Sequence, residues 1–214
     1  MRFGLTGQVQ IAVIPTALSM VQELTTPFRE KHPDVTFAVL SRTSTEIQAL
    51  LDNLQIDVGI TYLDNEPLGR VTSIPLYYER YHLVTSNFAD IGDRDSITWQ
   101  EAAKFPLCLL TPDMQNRRII NQHLSEAGAK ISPTLESDSM IALFTHVHTG
   151  NWASIMPVKM IKEFSIHDRV KSIPIVEPDA AHLVGMIAVK REPATPVVSA
   201  LLKEAKLLSE LERA

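Results

Sequence analysis

The chain has 214 residues, enough for one large domain or two small ones, and about 70% of its unfolded surface would be buried on folding. Its 45% hydrophobic and 21% charged residues are ordinary for a globular protein, and no apolar run approaches the ~20 residues of a membrane span. A net charge of −5 argues against this chain gripping a nucleic-acid backbone unaided, and the single cysteine, Cys108, rules out an internal disulfide and agrees with a reducing, cytoplasmic compartment. The start, MRFGLTGQVQ, shows neither an apolar core nor a cleavage-type site, so no signal peptide is expected.

Residues Arg2–Gly7 read as a frayed lead-in. Val9, Ile11 and Val13 then alternate with Gln8, Gln10 and Ala12, the pattern of a strand. The run stops at Ile14-Pro15-Thr16. Ala17, Met20, Val21 and Leu24 follow at helical spacing, with the Thr16 hydroxyl placed to cap the helix. Free N–H groups at such a turn lie at the strand's carboxyl end, where open α/β sheets bind ligands. The helix should end near Lys31-His32-Pro33, because proline pushes the residue before it out of helical geometry.

Val35–Leu40 reads as a second strand. Thr43 and Glu46 have capping-box spacing ahead of a helix with Ile47, Leu50, Leu51 and Leu54 on its apolar face. Ile56–Tyr62 is a third strand. Two β-α steps in succession imply a parallel sheet with right-handed crossovers. Asp64–Gly69 has turn chemistry. Ile74–Leu76 and Tyr81–Ser86 read as further strands, and Asn87–Thr98 is polar and irregular.

A second capping box, Thr98 with Glu101, opens a short helix that stops before Pro106. Leu107–Thr111 is a buried strand. Asp113 precedes a helix with Ile120, Leu124 and Ala127 on its core face and Gly128 as the stop. Ser137-Asp138 is placed to cap the next helix, through Ile141, Phe144 and Val147. Trp152–Met156 is a short strand, Pro157–Phe164 a helical turn, Ile173–Val176 extended and Leu183–Val189 a long apolar strand. Pro193 and Pro196 punctuate before a closing amphipathic helix, Val197–Leu211.

The β-α alternation occurs twice, up to Tyr62 and again from Leu107 to Met156. Two similar α/β lobes, with crossings near Tyr81–Ser86 and Asp179–Val184, fit this better than one long sheet. Residues 7–79 with 184–214 would form the first lobe, and 80–183 the second.

The order TGQVQIAVIPTAL, LTTPFREKHPDVTFAVLSRTSTEIQALLDNLQIDVGI, PLYYERYHLVTS and SDSMIALFTHVHTGNWASIMP resembles the effector-binding domain of LysR-type transcriptional regulators. The resemblance covers nearly the whole chain. It departs from the family pattern at Leu54-Gln55, where a glycine is common, and at Gly150-Asn151-Trp152-Ala153, where Trp152 is far bulkier than the glycine expected there. The resemblance implies two Rossmann-like lobes with a central cleft, as in type 2 periplasmic binding proteins. It implies a small-molecule effector in that cleft, and DNA binding only through an N-terminal winged helix-turn-helix that this chain lacks. It also implies a homodimer through the Met20–Lys31 helix, and a tetramer in the full-length protein; that helix's apolar stripe could instead only cover its own sheet.

Carried over position by position, the resemblance places effector contacts at Thr16, Ser44, Thr111 and Asn116-Arg117. Physically the set is coherent with its neighbours Ala17, Arg42 and Thr43: hydroxyls and N–H groups where helices begin favour an anion by roughly 0.3–1 kcal/mol per helix end. An arginine can grip a carboxylate with two parallel, charge-assisted hydrogen bonds. At 100° per residue Arg117 lies at the edge of the Ile120/Leu124 face and Arg118 points nearly opposite, so Arg117 is the better candidate. Asp138 is a weaker candidate, more naturally a cap.

His146 and His148 diverge on their helix and no histidine spacing suits a metal, so no metal or cofactor is expected. Cys108 lies in an apolar strand, and neither a phosphate loop nor a G-x-S-x-G elbow is present, which leaves an enzyme without a nucleophile–base pair. The expected function is effector sensing in a transcription factor. A solute-binding protein of the same fold, or an enzyme acting on a small acid, are the alternatives.

Overall fold

The computed structural model describes residues 4–86, 91–130, 132–163, 170–190 and 194–211. Expectations for Arg2, Phe3, Asn87–Asp90, Phe164 and Pro193 fall outside them. The chain divides into two compact units: Met1–Tyr78 with His182–Ala214, and Glu79–Ala181.

The first unit is built on β1 (Gly7–Val13), β2 (Val35–Ser41) and β3 (Val58–Tyr62). β1 pairs in parallel with both neighbours, from Gly7↔Val35 to Val13↔Ser41 and from Ile11↔Val58 to Val13↔Ile60. β10 (Ala181–Val189) adds to β3 antiparallel, and the first part of β4 (Val71–Thr85) lies beyond it, giving the order β2-β1-β3-β10-β4. The polar alternation of β1 ends in three consecutive buried residues because helices cover both faces of a parallel sheet. All five residues of β3 are buried for the same reason.

The helices of this unit are α1 (Val21–Lys31), α2 (Ser44–Asp52) and the C-terminal Pro196–Leu211. Leu24 and Phe28 of α1, and Ile47 and Leu51 of α2, are fully buried. α1 begins later than expected. Pro15–Met20 forms a tight 3-10 turn first, with Ile14 at its N-cap and no side-chain cap. Thr16 therefore lies inside that turn and does not cap a helix, a correction to the sequence reading. Pro15, with its fixed φ, favours the tighter first turn.

Leu54, where the family pattern carries glycine, adopts φ +58° with its side chain 56% exposed. That left-handed conformation costs a non-glycine residue about 1 kcal/mol or more. Leu54→Gly should raise the melting temperature by about 1–2 °C, a net gain near 0.5 kcal/mol after the added chain entropy of glycine. A lower melting temperature would mean that the half-exposed side chain contributes more packing than its backbone loses in strain.

The second unit holds the rest of β4, which the sequence suggested as two short strands and which is one strand of 15 residues. β8 (Ala153–Pro157) and β9 (Lys171–Val176) both pair with it antiparallel, and β5 (Ile97–Thr98) adds to β9 in parallel. β6 (Cys108–Leu110) and β7 (Leu135–Ser137) form a separate parallel pair. Between them run α3 (Trp99–Ala102), α4 (Gln115–Glu126), α5 (Met140–Val147) and α6 (Val158–Glu163), which makes the C-terminal helix of the first unit α7. Cys108, Leu110, Met140, Leu143, Val147 and Met156 centre the core. Both capping boxes form: Thr43 and Thr98 each accept from the N–H of the glutamate three residues on, and that carboxylate returns the bond. The cap of α5 is Ser139 rather than Ser137-Asp138, with Ser137 Oγ accepting from the Ser139 amide; this corrects the expected cap.

Candidate functional site

In the first unit, three neighbouring strands end on one edge. Arg42 N donates to Val13 O at 2.9 Å and Ile14 N to Ile60 O at 3.1 Å, so the turns after β1 and β2 and the end of β3 lie side by side. This edge collects Thr16, Ala17, Arg42, Thr43 and Ser44. Thr16 is 2% exposed, Ala17 is fully buried and Ser44 is 4% exposed at the first position of α2. Thr43 spends its hydroxyl on the Glu46 amide at 3.1 Å, so capping is its main work. Arg42 is half-buried and one of its terminal nitrogens donates to Ser41 O at 2.7 Å. Tyr62, the last residue of β3 and not singled out from the sequence, is fully buried with its hydroxyl 3.5 Å from Thr16 Oγ1.

In the second unit, Thr111 follows β6 and its amide donates to Ser137 O at 3.1 Å, which brings the turns carrying Thr111 and Asp138 together. Among the described residues the buried Thr111 hydroxyl oxygen has no hydrogen-bond partner, nor does the side-chain nitrogen of Gln115, whose residue is 3% exposed at the start of α4. A buried donor or acceptor left unsatisfied costs about 1–3 kcal/mol, so both groups are suited to a ligand. Sequence reading missed Gln115 because a glutamine between Met114 and Asn116 carries no local signal. Asn116 is buried and donates from Nδ2 to Glu79 Oε1 at 3.2 Å. Asp138 is exposed.

Arg117 is inside as its helical phase indicated, and three of its hydrogen bonds run within the protein. Its Nε donates to Asn121 Oδ1 at 2.8 Å. One terminal nitrogen donates to Leu110 O at 2.6 Å and to Glu136 Oε1 at 2.6 Å. The guanidinium is thus committed to fixing α4 to β6 and β7. Arg118 is half-buried and folds back onto Asp113 O at 2.7 Å.

Burial pushes the Cys108 thiol up to about 11. It stays protonated at neutral pH and serves as a small core residue. Among the described residues no three His, Cys, Asp or Glu side chains gather as a metal site, and no helix is long and apolar enough to cross a membrane.

This architecture gathers hydroxyls and main-chain donors at strand ends and helix starts, in an α/β fold. The chain belongs to the LysR substrate binding domain family, whose model matches residues 3–207. It is 24% identical over 192 residues to the uncharacterised HTH-type transcriptional regulator YbhD of Escherichia coli K12, covering 89% of this chain and 60% of that protein. It is 28% identical over 150 residues to the HTH-type transcriptional regulator BsdA of Bacillus subtilis 168, covering 67% of this chain and 50% of that protein. The chain thus spans about half the length of the curated relatives it matches. In structure it is similar to the effector binding domain of QuiR in complex with shikimate, at TM-score 0.80 and 22% identity, covering 97% of this chain and 99% of that one. It is also similar to CbnR, a LysR family transcriptional regulator, at TM-score 0.75 and 15% identity, covering 95% of this chain and 70% of that one. These likenesses place the fold among LysR effector-binding domains of the type 2 periplasmic-binding-protein kind.

Proposed function

We propose that this chain is the effector-sensing part of a cytoplasmic LysR-type transcription regulator and binds a small carboxylate without turning it over. The reading rests chiefly on the edge where β1, β2 and β3 end. There Thr16 is buried in an uncapped turn and Ser44 opens a helix, so hydroxyls and main-chain donors can hold an anion without a full counter-charge. In the second unit, Thr111 and Gln115 offer a buried acceptor and donor of their own. Effector occupancy would bias two arrangements by about 1–3 kcal/mol and be read by DNA-binding domains elsewhere in the full-length regulator. Self-association through α1 into a homodimer is part of the same proposal, and the isologous pairing suits a two-fold axis.

A thermal-shift panel of shikimate, benzoate and sulfate tests the binding. A ligand at a hundred times its Kd adds about 2.7 kcal/mol, which for a chain of this size is a rise of roughly 5–10 °C. Thr16→Val and Ser44→Ala should each cut that rise while leaving the unliganded melting temperature within about 2 °C, a change below 1 kcal/mol. A panel with no stabilising acid, or a rise indifferent to both substitutions, would remove this edge from effector binding.

A further inference from the structure

We propose that Tyr62 is a positioning residue linking the Thr16 hydroxyl to His182, the residue at which the chain returns to the first unit. The proposal rests on the reading of Thr16 as an effector contact. Tyr62 is fully buried, and its hydroxyl faces Thr16. Its hydroxyl lies 3.5 Å from Thr16 Oγ1, well beyond the 2.7–2.8 Å of a settled O–H···O bond.

The other side of the Tyr62 ring leads to the returning strand. The ring meets His182 edge to face, with centroids 6.4 Å apart at 89°. His182 Nδ1 is 3.4 Å from Asp64 Oδ1. Asp64 Oδ2 accepts from the Leu183 amide at 2.9 Å, and the Leu63 amide donates to Leu183 O at 2.7 Å. Thr16, Tyr62, His182 and Asp64 therefore make one contiguous path from the strand-end edge to the first residues of β10 that belong to this unit.

The chemistry gives the path a direction. When an acid oxygen accepts the Thr16 O–H, the lone pairs of Thr16 Oγ1 become better acceptors and draw the Tyr62 O–H toward them. Shortening that contact changes the position of the Tyr62 ring relative to His182. The strand that carries His182 and Leu183 is the one through which the chain arrives from the second unit, so effector occupancy is reported where the two units are covalently joined.

The test has two arms, both on the whole chain. In the first, ligand is not needed. Thr16→Ala should shift the His182 ring signals in the NMR spectrum of the parent protein, and should leave them still in a Tyr62→Phe background. Equal shifts in both backgrounds would overturn the relay. In the second arm, shikimate is the probe. Tyr62→Phe should weaken its binding about 3–10-fold, the loss of one modest hydrogen bond. It should also abolish the change in Leu183 amide exchange that shikimate causes in the parent. Persistence of that change in Tyr62→Phe would overturn the proposal. Should Tyr62→Phe unfold the chain, Asp64→Asn serves instead: it should quicken Leu183 exchange and erase the effect of Thr16→Ala at Leu183, and an undiminished effect would count against the relay. If shikimate, benzoate and sulfate all fail to bind, the effector reading falls while the first arm still decides the relay.

Discussion

Gly185→Ala should destabilise the first unit more than any other single methyl added to the chain, by about 3 kcal/mol or more, at the upper end for overpacking a core. A Cβ at this position would lie 2.4 Å from the carbonyl oxygen of Ile74 and 2.4 Å from Leu63 Cδ1. The oxygen belongs to β4, so relief requires the backbone of one strand to move away from the other. A glycine in the middle of a strand marks such an approach. Gly59→Ala is the informative control. Its new methyl would also meet an atom at 2.4 Å, but that atom is the Cγ2 methyl of Ile47, part of a side chain and not of the backbone. A cost near 1–2 kcal/mol is expected there. Urea unfolding should show the midpoint of Gly185→Ala well below that of Gly59→Ala, with unchanged slopes. Equal midpoints would mean that the Ile74 carbonyl yields as readily as a side chain.

Close approaches of this kind belong to the part of the molecule that sequence reading could not supply. Local signals were readable where a single stretch carries them. The Thr43/Glu46 and Thr98/Glu101 boxes are satisfied within four residues, so their spacing alone announced α2 and α3. Motif order across the whole chain was enough to suggest the family to which it belongs. Elements made by partners distant in sequence were not readable. β5 has two residues and β7 three, and each exists because β9 or β6 lies beside it. The polar positions around Tyr78–Arg80 interrupt the apolar pattern of β4 and suggest two strands, whereas one strand runs from Val71 to Thr85.

The candidate site divides in the same way. Thr16 and Ser44 were legible through the family resemblance, at turns that follow strands. Tyr62 was not, because its meeting with Thr16 depends on the register between β1 and β3. Trp152, whose bulk departs from the family pattern, has its carbonyl accepting from Thr85 Oγ1 at 3.4 Å, and its ring stands perpendicular to His146, with centroids 5.7 Å apart. The large side chain is therefore absorbed by aromatic packing within the second unit.

Arg117 shows how a helical phase legible in the sequence leaves a side chain's partners open, and it yields the second large expected effect. Its side chain is 5% exposed and its donors bridge three partners: the Leu110 carbonyl at the end of β6, Asn121 one turn along α4, and Glu136 in β7. Arg117→Met preserves length and apolar stem but leaves the Leu110 carbonyl and the Glu136 carboxylate without the guanidinium. Glu136 is 40% exposed on its side chain and can turn to water, so the full penalty of a buried orphan charge does not apply. The buried carbonyl has no such escape. A loss of about 2–3 kcal/mol follows, or roughly 5–10 °C in melting temperature. Arg117→Lys should recover little of it, since one ammonium cannot reproduce a planar fork aimed at three oxygens. Glu136→Gln should cost under about 1 kcal/mol, as expected for a pair with one solvated member. The decisive comparison is between stability and binding. If Arg117→Met melts like the parent and loses only its response to acids, the guanidinium is a ligand group. If it melts early and the folded fraction still responds, the residue is the rivet that holds the Thr111–Gln115 turn in place.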